Sequence, residues 1–439
     1  MERQTQLDII KMLHREVIPA TGCTEPVAVA LTVAYAAHAL GCVPDSIKLE
    51  LSANVLKNAM GVGIPGTGMI GLPIAIALGA VIAAPEKELK VLDGFSDEQF
   101  AEARKLMEGK FIDIGLKEGD VDKLYIEATL CDTQGHEAKA IIEHAHTALK
   151  LLTLDGKPCE LKETQADSRS EESGVSSFDG PEVPLTFSMV YDFATQMPLE
   201  EIRFISEAAR LNRNAAEYSL KGSFGHAVGR MIQGPLGRKY LGDTVFTHLL
   251  TYTSAACDAR MDGAPVTVMS NSGSGNQGIT ATLPVLSFAE DEGVSEEKKV
   301  RALLLSNLMV IYIKQKLGRL SALCGCVVAA TGSAAGITYL MGGSKEQIGF
   351  AIKNMVGNLT GMICDGAKPS CSLKVSSGVS SAMLSSLLAM EQKVVTSNEG
   401  VVDDDIDRSI DNLTSIGRDA MSETDRHVLH IMTHKNKDK

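Results

Sequence analysis

The sequence predicts an α+β protein: a mixed α/β domain over residues 1–162, a linker over 163–184 and a mainly α-helical domain over 185–439. Three observations carry that prediction. Early in the chain apolar and polar residues alternate with period two, as in half-buried strands. From about Leu185 onward apolar residues recur at helical spacing. Between these regions, Glu163 to Pro184 holds Ser, Glu, Asp, Gly and Pro with hardly an apolar side chain, so it has little to bury.

Taken in order, a first helix is expected over roughly Gln6 to Ile18 and a second from Pro26 through Leu40. Ile47, Leu49 and Leu51 alternate with Lys48 and Glu50, and Leu124, Ile126, Ala128 and Leu130 repeat the pattern. Between them Ser96-Asp97-Glu98-Gln99 reads as a capping box, with Phe95 and Phe100 as its hydrophobic staple, so a helix starts at Asp97. Strand-like runs resume from Ala138 to Leu154. In the second half Ile202, Ile205, Ala209 and Ala216 share a helix face, as do Val300, Leu304, Leu308 and Ile311 after the acidic start Ser295-Glu296-Glu297. Gly342-Gly343 closes one helix, Ser344-Lys345-Glu346-Gln347 opens the next, and the last runs from Thr424 to Thr433. No internal repeat is evident.

Aromatics make up only 4% of the chain against 40 Gly, so helices are expected to meet through Ala, Gly and Ser in a tight core. A net charge of −13 argues against nucleic acid, whose affinity comes from Lys and Arg neutralising phosphates. The amino terminus lacks an apolar signal core. The uncharged stretches Gly61 to Ala84 and Leu323 to Gly343 are broken by Gly or Pro and read as buried segments rather than membrane spans. Nine cysteines at irregular spacing fit free thiols in a reducing, cytoplasmic setting.

Cys23, Cys324 and Cys364 each sit among small, mostly uncharged residues, where a thiol is either core filler or a ligand to a soft metal. The loop Ser270-Asn271-Ser272-Gly273-Ser274-Gly275-Asn276-Gln277-Gly278 could cup a carboxylate in its backbone N–H groups, with Ser272, Ser274 and Asn276 adding donors. A second glycine loop, Gly61 to Gly68, lacks the ending of a P-loop. It includes Thr67 and Gly68, and Asn54, Lys57 and Asn58 precede it at i, i+3 and i+4, a shared face if helical. Lys374 and Lys57 are candidate bases, because a desolvated lysine can act near neutrality, with His226 a rival. His144 and His146 alternate on a probable strand.

Six motifs in order, Gly22-Cys23-Thr24-Glu25-Pro26, Pro65-Gly66-Thr67-Gly68-Met69, Asp258-Ala259-Arg260-Met261, the Ser270 to Gly278 loop, Ser321-Ala322-Leu323-Cys324 and Met362-Ile363-Cys364-Asp365-Gly366-Ala367, resemble the L-cysteine desulfidase family. That family is related to the α-chain of the iron–sulfur L-serine dehydratases. The resemblance implies a 4Fe–4S cluster held by Cys23, Cys324 and Cys364, with one iron open to substrate. It implies α,β-elimination of L-cysteine to sulfide, ammonia and pyruvate. In the dehydratase relatives a third ligand lies shortly after the second, which would nominate Cys371 in place of Cys23. They also close the cluster with a carboxyl-terminal cysteine, absent from Asn436-Lys437-Asp438-Lys439. Rival expectations are an L-serine dehydratase, a pyridoxal-phosphate lyase with Lys374 as Schiff-base partner, and a non-catalytic redox sensor. A homodimer acting on a small amino acid is the expected assembly.

Overall fold

The computed structural model describes residues 1–109, 111–119, 121–159, 183–318 and 320–435, so the expected linker lies outside the described residues except for Val183 and Pro184. The fold is α+β, with a sheet in the amino-terminal part and helices beyond it. The sheet has six strands in the order Ile112–Leu116, Ser46–Leu51, Tyr125–Cys131, Glu137–Glu143, Leu149–Leu154 and Lys157–Pro158. Ser46–Leu51 pairs in parallel with Ile112–Leu116, and every other neighbour is antiparallel.

The alternation at 47–51 does what the sequence predicts. Ile47, Leu49 and Leu51 are buried while Lys48 and Glu50 face outward. The buried face is covered by the helix Thr24–Leu40, whose Ala and Val side chains are buried almost all round, and Leu72–Ile82 packs on that helix. Outside it lies Asp97–Glu108, started by the predicted capping box: Gln99 N donates to Ser96 Oγ at 3.2 Å, and Ser96 N to Gln99 Oε1 at 2.9 Å. The Phe95 and Phe100 rings stand 5.7 Å apart as the staple requires.

Strand structure does not run unbroken from Ala138 to Leu154. Glu137–Glu143 and Leu149–Leu154 flank a turn in which His144 has φ +72°, so His144 and His146 do not share a strand face. His144 bonds Asp122 at 3.1 Å, whereas His146 is buried.

The helical body is built round Gly325–Leu340, which contacts Gly275–Asp291, Glu296–Leu317, Lys345–Leu359 and Cys371–Met390. Its Ala329, Ala330, Ser333, Ala334 and Ala335 are all fully buried, the close small-residue packing that the composition predicts. The second predicted capping box opens Lys345–Leu359. Among the described residues Cys371–Met390 alone is long and apolar enough to cross a membrane, and it packs against four helices of this body.

Both ends of the chain cross between the two cores. The first helix, Arg3–Glu16, buries Ile9, Met12 and Leu13 in the helical core, and Pro19–Thr21 pairs antiparallel with Thr267–Met269. In return Leu429, on the closing helix Ser422–Thr433, lies in the core beneath the sheet. The two layers are therefore tied where they meet.

Candidate active site

At that meeting lies a cavity of about 150 Å³, lined by residues of both layers. The structure brings Cys23, Cys324 and Cys364 to its wall, together with Cys326 and Cys371. Cys324 and Cys364 are set side by side by backbone pairing: Cys324 N donates to Met362 O at 3.0 Å and Cys364 N to Ala322 O at 2.7 Å, around the bridge Leu323–Ile363. Cys324 caps Gly325–Leu340, Cys23 caps Thr24–Leu40, Ser274 caps Gly275–Asp291, and Cys371 opens Cys371–Met390. Four helix amino termini thus face one cavity. Their partial positive charge favours thiolates and other anions there.

The thiols do not share one acidity. A hydrogen bond from Cys326, joined by the charge of Lys374, brings the Cys324 thiol down to about 7 against the opposing effect of burial. Burial and the neighbouring Glu25 push Cys23 well up, and its Sγ donates to Glu25 Oε2 at 3.0 Å. Burial raises Cys364 too, and takes Cys371 to about 11. Cys326 Sγ also lies 2.9 Å from the Lys374 carbonyl, so its single S–H is shared between that oxygen and Cys324.

Asn54, Lys57 and Asn58 are helical, on Ala53–Ala59, and all three line the cavity. Lys57 is 2% exposed and ion-paired with Asp425, which also accepts from Asn54 Nδ2 at 2.6 Å. Asn58 Nδ2 donates to Glu25 Oε1 at 3.0 Å. Lys374 reaches the cavity from the other side, paired with Asp365 and donating to the Ile363 carbonyl at 2.9 Å. Burial opposes its charge, but Asp365 outweighs burial and raises its pKa, which favours the ammonium form. Asp365, despite burial, is held at about 2 by Lys368 and Lys374.

Of the loop, Ser272, Gly273, Ser274, Asn276 and Gln277 line the cavity. Ser270 and Asn271 do not. Ser270 Oγ donates to the Ile18 carbonyl at 2.7 Å, and Asn271 Nδ2 holds Asn307 O at 3.1 Å, so both serve the scaffold. Thr67 and Gly68 also stand outside the cavity. Thr67 Oγ1 donates to Ile64 O at 2.7 Å and Gly68 has φ +64°, the needs of a tight hairpin between Gly63–Ile64 and Met69–Ile70. His226 is absent from the wall.

Residue-type reasoning assigned no role to Glu25, Arg260 or Gln277, which the cavity presents. Glu25 is the one carboxylate lining it among the described residues. Burial works against its charge, but nearby His146 and the donors Cys23 and Asn58 hold its pKa below the ordinary value. Glu25 and Arg260 both lie inside quoted motifs, so position in a motif was the available signal.

Three thiols on one wall, with helix amino termini behind them, fit the donor chemistry of an iron–sulfur cluster. Among the described residues no three His, Cys, Asp or Glu side chains stand grouped closely enough to hold an ion as they are placed.

Residues 86–430 match the serine dehydratase α-chain family. The chain is 67% identical over 435 residues to a UPF0597 protein of Porphyromonas gingivalis, covering 99% of this chain and 100% of that one. It is 59% identical to a UPF0597 protein of Parabacteroides distasonis, over 99% and 100%, and 46% identical to one of Oleidesulfovibrio alaskensis, over 97% of each. The chain belongs to the serine dehydratase α-chain family, which places it among lyases of the dehydratase kind, a group generally dependent on iron–sulfur.

Proposed function

We propose that this member of the serine dehydratase α-chain family is an L-cysteine desulfidase, converting L-cysteine and water to sulfide, ammonia and pyruvate. The observation that carries the reading is the convergence of Cys23, Cys324 and Cys364, from distant parts of the chain, on one cavity. These three residues would hold a 4Fe–4S cluster. When bound, the cluster supplies Lewis acidity that lets the β-sulfur depart as hydrosulfide.

The chain's own residues supply the rest. Lys374, Lys57 and the helix amino termini offset the negative charge gathered in the cavity. The charged state of Lys374 assigns it to that work. Glu25, held in place by Asn58, is the acceptor for the substrate's Cα proton. The resulting aminoacrylate hydrolyses to pyruvate and ammonia.

L-serine is the second reading, favoured by the description of the matching family. The expected setting is a reducing cytoplasm, in keeping with nine free cysteines, and the expected assembly is a homodimer free of nucleic acid and membrane. Anaerobic protein reconstituted with iron and sulfide should release sulfide and pyruvate in equal amounts from L-cysteine, and turn over L-serine roughly ten-fold less efficiently. Pyruvate from L-serine alone would install the second reading, and pyruvate from neither would overturn both. Light scattering at working concentration checks the dimer.

A further inference from the structure

Arg260 and Gln277 each contribute to the cavity wall while keeping a buried polar atom unpaired. Arg260 is 5% exposed and Gln277 3%. Arg260 spends Nη1 on Asn276 Oδ1 at 3.2 Å and Nη2 on the Gly22 carbonyl at 3.0 Å. Its Nε hydrogen finds no acceptor, and among the described residues no Asp or Glu pairs with it. Gln277 donates from Nε2 to the Asn271 carbonyl at 3.2 Å, which fixes the orientation of its amide. Oε1 is then an acceptor without a donor.

Each of these is costly alone. A guanidinium taken from water without a counter-anion forfeits its hydration, and so does a bare amide oxygen. Glycine backbone closes over both atoms without supplying a hydrogen-bond partner. A Cβ on Gly275 would stand 2.2 Å from Arg260 Nε, and one on Gly325 would stand 3.2 Å from Gln277 Oε1. A surplus of N–H donors and an unfilled acceptor on one wall match the two ends of a zwitterion. Serving the anion, the helix Gly275–Asp291 begins next to Arg260 and adds its own amino-terminal N–H groups.

We propose that Arg260 and Gln277 are the specificity residues that recognise an α-amino acid: Arg260 takes the carboxylate and Gln277 Oε1 accepts from the α-ammonium group. This rests on the amino-acid lyase reading above and adds the part of the substrate that the reaction leaves intact. Recognition of this kind is indifferent to the β-substituent, so the same clamp serves L-cysteine and L-serine.

The test uses L-alanine, which has both charged groups and no leaving group, against propionate and ethylamine, which have one each. Binding is measured by calorimetry on reconstituted and on metal-free protein. Wild-type protein should hold L-alanine at least roughly ten-fold tighter than either half-ligand. Arg260→Gln should weaken L-alanine and propionate by roughly ten-fold or more and leave ethylamine unchanged. Gln277→Met should weaken L-alanine and ethylamine by about three-fold to ten-fold and spare propionate. If Arg260→Gln does not fold, Asn276→Ala carries the test by freeing the guanidinium, and L-alanine should weaken by about three-fold. Unchanged propionate and L-alanine binding in folded Arg260→Gln, or in Asn276→Ala where that variant stands in for it, overturns the proposal. So does wild-type protein that holds L-alanine no tighter than ethylamine. Because no turnover is read, the two ideas fail separately. L-Alanine binding through Arg260 without any pyruvate formation contradicts only the lyase reading, and pyruvate formation with a binding-silent Arg260 contradicts only the clamp.

Discussion

Two thiols that meet at the cavity, Cys324 from the helical body and Cys23 from the sheet side, differ in acidity. In the helical body, Cys324 sits at a helix amino terminus beside Cys326 and Lys374 and is lowered to about 7. Cys23, at the head of the helix that covers the sheet, also caps a helix, yet burial and Glu25 push it well above the usual thiol range. The same kind of backbone position therefore gives two acidities. A helix terminus supplies a modest bias, and a hydrogen bond from Cys326 at one site and burial at the other decide the sign. One thiol is near ready for metal, while the other must lose a proton as metal binds.

The comparison is broken most severely by removing a ligand from the readier side. Cys324→Ala should lower sulfide release from L-cysteine by more than roughly 100-fold, since removing even an outer partner of a metal ligand costs 10- to 100-fold. Next in size is the anchor that the closing helix provides for the sheet side. Asp425→Asn leaves buried Lys57 without its ion pair and should destabilise the protein by about 3 kcal/mol in denaturant melts. Activity should fall as well, because Asn54 and Lys57 are left to share one acceptor oxygen.

A third variant separates the sheet's own stability from the site. Glu127, buried on a central strand, would be raised by burial, but Lys117, Lys139 and Tyr125 bring it from an ordinary 4.5 down to about 2. A carboxyl lowered on folding stabilises fully above its unfolded value, and that stability is lost as pH falls from about 4.5 to about 2. Glu127→Gln should thus cost about 1–3 kcal/mol at pH 7 and much less at pH 2, without changing iron content. The smallest effect is the sharpest on the opening contrast. In metal-free protein at pH 7.5, iodoacetamide should modify Cys324 roughly ten-fold faster than Cys23, as read by peptide mass spectrometry. Equal rates would remove the contrast.

What could be read from the sequence was local. Both capping boxes, the alternation at 47–51 and the shared face of Asn54, Lys57 and Asn58 depend on residues within a few positions of one another. The misreadings involve distance. Nothing near Lys57 announces Asp425, and nothing near Arg260 announces the Gly22 carbonyl. A first helix expected over roughly Gln6 to Ile18 runs over Arg3–Glu16, and nothing in its local sequence says that it packs with the other layer. The glycine loops were legible as backbone that turns sharply. Whether such a turn faces a cavity, as at Gly273, or closes a hairpin, as at Gly68, depends on packing that periodicity does not encode. Lys374 shows the same dependence in electrostatics: burial opposes its charge, and Asp365, nine positions back, more than offsets that opposition.

The most direct test counts iron and acid-labile sulfide per chain after anaerobic reconstitution, in wild-type protein and in Cys23→Ala, Cys324→Ala, Cys364→Ala and Cys371→Ala. The expected result is about four iron atoms in wild type and in Cys371→Ala, and a loss of the cluster in each of the other three. A full cluster in Cys23→Ala, with loss in Cys371→Ala, would contradict a centre shared between the two layers.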